Sequence, residues 1–166
     1  KQTRNSAVKR SVEFFSPTPP SNINSFPILN PSKIDVDGIE FDNNSFVWQN
    51  GQAKTQCEAV CFPSKAKANS WILFCELKYS SSTFFNEINL RKAIKQLYKT
   101  RYYYYQNNII TYKNTSYLIA SLPLQSEPFS GFAIPASMLV KLKRTKNIIL
   151  RLKNKVEIVD DEIILV

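Results

Sequence analysis

The chain has 166 residues, enough for one domain with a full-sized core, and 43% of them are hydrophobic, which excludes a disordered chain. Lys and Arg number 22 against 13 Asp and Glu, a net charge of +9 that suits either a phosphate-bearing partner, most often nucleic acid, or a protein whose surface simply leans basic. Histidine is absent, which excludes Ser-His and Cys-His nucleophilic machinery and His-containing zinc sites; hydrolysis would need carboxylates, lysine and metal-activated water instead.

In chain order, Ala7, Val8, Val12, Phe14 and Phe15 among basic residues predict a short amphipathic helix over 1–15, with Glu13 in its last turn. Pro17, Pro19 and Pro20 end it. Residues 16–33, rich in Pro, Ser and Asn, read as an extended connector on the domain surface, anchored by Phe26, Ile28 and Leu29. Residues 34–42 alternate apolar and acidic around Asp37-Gly38 and read as a half-exposed hairpin. Their Asp-x-Asp-Gly resembles a calcium loop, but the bidentate Glu that such a loop needs later is missing.

Residues 46–49, followed by Asn50-Gly51, predict another hairpin returning over 55–62. A basic loop over 63–70 carries Lys65 and Lys67. Residues 71–79, Trp-Ile-Leu-Phe-Cys-Glu-Leu-Lys-Tyr, form an apolar run that reads as a buried strand and completes a three-stranded antiparallel meander. From about 84 to 105 the period becomes helical: Leu90, Ile94, Leu97, Tyr98, Tyr102 and Tyr105 form one stripe, while Lys92, Lys95 and Lys99 lie on another. Any of the hydroxyls over residues 80–83 would cap that helix.

Further strands are predicted over 109–112 and 116–122, and a short helix over 134–140. Lys141, Lys143, Arg144 and Lys146 form a dense basic turn, and residues 148–152 and 156–166 a closing hairpin around Asn154-Lys155. The expected fold is α/β (α+β): a central mixed sheet with a meander followed by a helix and a further strand, plus a C-terminal β-hairpin. The N-terminal helix and connector occupy 1–33 and a single domain 34–166. Cys57, Cys61 and Cys75, without a C-x-x-C, read as free core thiols in a reducing, cytoplasmic setting. No apolar span reaches the length of a membrane helix.

The costly residues lie at the end of the 71–79 strand. Strand alternation puts Glu76 and Lys78 on one face with Ile72 and Phe74. An acid and a lysine at the end of a buried strand are expensive unless paired. Glu58, on the preceding antiparallel strand, falls opposite Glu76. Two such carboxylates repel each other, and a divalent cation relieves that repulsion. Lys78 on the same face would orient a water or neutralise a phosphate. The plainer alternative is an ion pair at a strand end.

The order of acid on a meander strand (Glu58), apolar strand ending in Glu76-Leu77-Lys78, basic helix, then strand 116–122 resembles the PD-(D/E)xK, restriction-endonuclease-like nuclease superfamily over roughly residues 46–122. The resemblance implies that Glu58 and Glu76 hold Mg²⁺ or Mn²⁺, that Lys78 assists catalysis, and that Glu13 and Gln96 are accessory residues. It implies phosphodiester hydrolysis of DNA or RNA, with backbone contacts from Lys65, Lys67, Lys92, Lys95, Lys99, Lys141, Lys143, Arg144 and Lys146. The first acid is Glu58 where the family usually has Asp, and Thr100 stands where one branch has tyrosine. The alternative is therefore a catalytically inactive nucleic-acid-binding or protein-interaction subunit of a larger complex, or a homodimer. No membrane association is expected.

Overall fold

The computed structural model describes residues 13–16, 18–41, 45–47, 50–52 and 54–166. The expected helix over 1–15 falls mostly outside them, and Glu13, Phe14 and Phe15 carry no regular secondary structure.

The centre is a five-stranded mixed sheet built on β4 (Ile72–Leu77), all six of whose residues are buried. A strand packed on both faces needs apolar side chains in both directions, so its sequence shows a continuous run and not an alternation. β4 pairs antiparallel with β3 (Ala59–Pro63), which pairs antiparallel with β2 (Val36–Glu40). On its other side β4 runs parallel to β5 (Ser116–Ser121), and β5 parallel to β6 (Ile148–Leu152). The chain is an α/β fold with this mixed sheet and a smaller second sheet, in which β1 (Ile28–Leu29) pairs parallel with β7 (Val156–Ile158) and β7 antiparallel with β8 (Ile164–Leu165).

Parallel neighbours need crossovers, and two helices supply them. α1 (Asn86–Gln106) joins β4 to β5, and α2 (Ala136–Lys146) joins β5 to β6. Leu90, Ala93 and Leu97 of α1 and Leu142 of α2 pack with Phe74, Leu118 and Leu150 on one face of the sheet. Leu90 and Leu97 have no exposure, and burial of each stabilises by about 1.5–3 kcal/mol. The opposite face, with Leu73, Cys75, Tyr117 and Ile119, is covered by Val156, Ile158 and Ile164 of the small sheet. Cys57, Cys61 and Cys75 are free and buried. Among the described residues no helix is long and apolar enough to cross a membrane.

Several elements differ from expectation. Asp37-Gly38 lies inside β2, not at a turn, and β2 takes the place beside β3 expected of residues 46–49. Gly38 is there for close approach: a Cβ would lie 2.7 Å from the Phe14 ring, which packs against the strand. Residues 48 and 49 are outside the described set, but Lys54 N donates to the Phe46 carbonyl (2.7 Å), so the chain does turn back around Asn50-Gly51.

Residues 109–112 are no strand. Asn108 is left-handed (φ 56°), and the Ile109 and Ile110 amides both turn back onto the Tyr104 carbonyl, so the apolar pair closes the end of α1, with Ile110 buried. The basic residues 141–146 are the last turns of α2, stopped by left-handed Asn147 (φ 50°, ψ 42°). Lys and Arg are good helix formers, and near the C-terminus they complement the helix dipole. The C-terminal hairpin is β7–β8, turned by Asp160, whose Oδ1 accepts the Glu162 and Ile163 amides, whereas 148–152 joins the main sheet. Leu29, expected to anchor the connector, is 43% exposed; Phe26 and Ile28 make the contact instead.

Candidate active site at the end of β4

Glu76 sits one residue from the end of β4, paired in register with Ala120 of β5, and the ladder continues as Lys78 N donates to the Ser121 carbonyl (2.9 Å). Strand periodicity turns both side chains toward α1. Glu76 has no exposure and Lys78 only 7%. Lys78 Nζ donates to Glu76 Oε1 and to Gln96 Oε1 (2.9 Å).

Gln96 is held in turn. Its Nε2 donates to the Gln56 carbonyl (2.9 Å), which leaves Oε1 aimed at Lys78. One turn on, Thr100 Oγ1 accepts the Cys57 amide (2.7 Å) and donates to the Gln96 carbonyl (3.1 Å). A small hydroxyl at position 100 thus pins the entry to β3 onto α1. Gln96 and Thr100 belong to one device that fixes Lys78.

Glu58 precedes β3, and extending the Ala59↔Cys75 register places it opposite Glu76. Its amide donates to the Cys75 carbonyl (3.1 Å), and its Oε2 accepts the Leu77 amide (3.0 Å). Burial pushes the Glu76 carboxyl up to about 8; the Glu58 charge adds to the rise, and Lys78 and the Gln96 hydrogen bond oppose it. Glu76 Oε2 is buried and has no hydrogen-bond partner among the described residues.

On the other side of β4 residues 13–16 and 18–29 lie across the sheet as a strap. Between them is a cavity of about 390 Å³, lined by Glu58, Cys75, Leu77 and Tyr79 from the sheet side and by Glu13 among the strap residues. The Tyr79 hydroxyl donates to the Asn24 carbonyl (3.0 Å), and the Phe14 amide donates to Glu40 Oε1 (2.6 Å), so the strap is tied at two points. Glu13 and Glu58 share this cavity. Glu76, Lys78 and Gln96 do not line it; they meet beneath α1, with Glu58 at the junction of the two.

The basic residues divide by end of the sheet. Lys92 and Lys99 lie about one turn either side of Gln96 on α1 and are exposed, as is Lys95. Lys65 and Lys67 are in the β3–β4 loop, at the start of β4, where Lys67 Nζ pairs with Asp161 (3.1 Å). Lys143, Arg144 and Lys146 end α2 at the start of β6. Both groups are about 20 Å from the Glu76 end, the length of a six-residue strand.

Sequence reasoning missed a polar network at the C-terminal ends of the parallel strands, the edge where open α/β sheets bind ligands. Asn154 Oδ1 accepts the Ser121 hydroxyl (2.7 Å) and the Leu122 amide (3.0 Å), while its Nδ2 donates to the Gln125 carbonyl (2.6 Å). The Gln125 side chain joins wholly buried Asn86, at the start of α1, to the Ser80 carbonyl. Side-chain amides in loops and at the start of a helix carry no periodicity, so the sequence does not announce the network.

A divalent cation finds a limited donor set. Among the described residues no group of three or more His, Cys, Asp or Glu side chains could hold a metal. Mg²⁺ keeps several waters and is bound through one or two carboxylates with substrate phosphate, and the unpartnered Glu76 Oε2 with the nearby Glu58 fits that smaller demand. No family model, characterised protein or solved structure matches this chain, and the likeness established is to the α/β class with a mixed sheet.

Proposed function

We propose that the protein is a metal-dependent phosphodiesterase of the PD-(D/E)xK kind acting on nucleic acid. One observation carries the reading: a wholly buried carboxylate, one oxygen on a lysine and the other without a hydrogen-bond partner among the described residues, beside a second carboxylate. Packing alone gives no return for that cost, whereas a hard cation would satisfy the free oxygen and offset the repulsion.

Glu58 and Glu76 would hold Mg²⁺ or Mn²⁺, which when bound acidifies a water and stabilises charge on a phosphate. The protein's own contribution is positional. Lys78 keeps its ammonium against Glu76, and Gln96 fixes that ammonium from the other side, so a cationic donor is preorganised where negative charge would develop. Glu13, on the strap, would face the substrate side of Glu58. The expected outcome is cleavage of DNA or RNA that requires Mg²⁺ or Mn²⁺ and drops at least about 100-fold in Glu76→Gln and Lys78→Ala. Absence of both metal binding by calorimetry and cleavage of every nucleic-acid form would overturn the proposal.

A second reading, an inactive nucleic-acid-binding subunit of the same fold, is favoured by one observation. Lys78 is almost closed off and already engaged by both Glu76 and Gln96. It predicts salt-sensitive binding indifferent to metal and to Glu76→Gln.

A further inference from the structure

The second half of α1 carries a feature the catalytic cluster does not use. A cavity of about 530 Å³ opens there, within the usual size range of small-ligand pockets. Phe46, Tyr98, Tyr102 and Tyr103 supply aromatic walls, and Lys54 and Lys99 are its cationic members. Phe46 packs on Tyr103 with ring centroids 4.5 Å apart, and Lys54 Nζ lies 5.7 Å from the Tyr103 ring centre, so this wall is braced. Tyr102, 57% exposed, presents its ring to solvent. The Tyr98 hydroxyl is buried and has no hydrogen-bond partner among the described residues.

We propose that this groove binds an unpaired nucleobase of a single-stranded nucleic-acid segment, stacked on Tyr102, with Lys99 meeting the adjoining phosphate. The proposal deepens the phosphodiesterase reading and rests on it for the identity of the partner. Aromatic faces accept any base, and lysines beside them neutralise the backbone; this is how single strands are held without sequence readout. A duplex presents no free base face, so the groove selects unpaired substrate or a frayed flank. Tyr102 follows Gln96 by six residues, about 9 Å along the helix at about 1.5 Å per residue. A strand laid along α1 therefore reaches from the groove to the Lys78 cluster within a few nucleotides.

The test is anisotropy of a labelled oligothymidylate in EDTA, which separates binding from cleavage, with a duplex and an abasic strand as controls. Tyr102→Ala should weaken single-strand binding by roughly 5- to 150-fold, the range expected for a lost base–aromatic stack. Tyr98→Phe, at a hydroxyl closed off from the groove, should leave single-strand and duplex binding unchanged and the melting temperature at or above wild type. The abasic strand should lose affinity for wild type and be insensitive to Tyr102→Ala. Equal affinities of Tyr102→Ala and wild type for the oligothymidylate would overturn the groove even if cleavage is observed. Tyr102-dependent binding with no cleavage and no metal uptake would overturn the catalytic reading and leave the groove standing.

Discussion

At Glu76 the protein keeps an acid where water does not reach, and pH reads out that choice. Burial and the Glu58 charge raise this carboxyl from 4.5 to about 8, so between those values the native state holds a proton that the unfolded chain has lost. Stability from this group is therefore greatest below pH 4.5, falls as pH climbs toward 8, and is flat above. Each unit of pKa is worth about 1.4 kcal/mol, which makes the total a few kcal/mol. Glu76→Gln should remove the slope and be more stable than wild type at pH 9, as urea midpoints across pH 5 to 9 would reveal. Unchanged pH dependence in the variant would mean that Glu76 ionises freely in place. A bound divalent ion would act oppositely: it competes with the proton, so the stabilisation from added Mg²⁺ should grow as pH rises through 8, level off above it, and be absent in Glu76→Gln. Strand alternation alone told that Glu76 and Lys78 share a face with Phe74. The roles of Gln96 and Thr100 were beyond such reasoning, because they depend on which α1 turn passes over Gln56 and Cys57.

At the level of elements, legibility followed burial. β4 is apolar in both directions and α1 repeats every three to four residues, so both were readable. β2 was not: its residues run from half-buried to exposed, and Asp37-Gly38 has the form of a hairpin turn. Its glycine answers to Phe14, a residue 24 positions earlier, and local sequence does not report that contact. The same contact gives a prediction for the strap. Gly38→Ala places a methyl group within 2.7 Å of the Phe14 ring, and the ring, at the far end of its side chain, is what yields. The sheet should lose only about 1 kcal/mol or less, since alanine also favours the strand backbone. The strap should loosen, with the Phe14 amide losing its bond to Glu40 and exchanging faster while β4 amides keep their protection. Uniform loss of protection across the sheet would show that Phe14 is part of the core and not a separable clasp.

Across the whole molecule, a charge of +9 favours phosphate, but the fold decides which cations can meet it. Lys67 is committed to Asp161, and Lys143 Nζ donates to Asn147 Oδ1 (2.7 Å) at the stop of α2. Arg144 and Lys146 share that last turn, where positive charge favours the helix itself. Both groups stand at the edge of the sheet opposite Glu76. Lys92 and Lys99, by contrast, bracket Gln96 from the exposed side of α1. If nucleic acid binds over the β4 end, these two should carry its backbone. Each of Lys92→Ala and Lys99→Ala should then lower the slope of log affinity against log salt by about 1, weakening binding to all sequences alike. Lys143→Ala with Arg144→Ala should leave that slope unchanged and lower the melting temperature by destabilising the end of α2. Titrations at several salt concentrations between about 50 and 200 mM separate the two cases. A slope that responds to the α2 pair and not to α1 would put the nucleic acid at the far edge of the sheet, out of reach of Glu76, and would detach binding from the proposed chemistry.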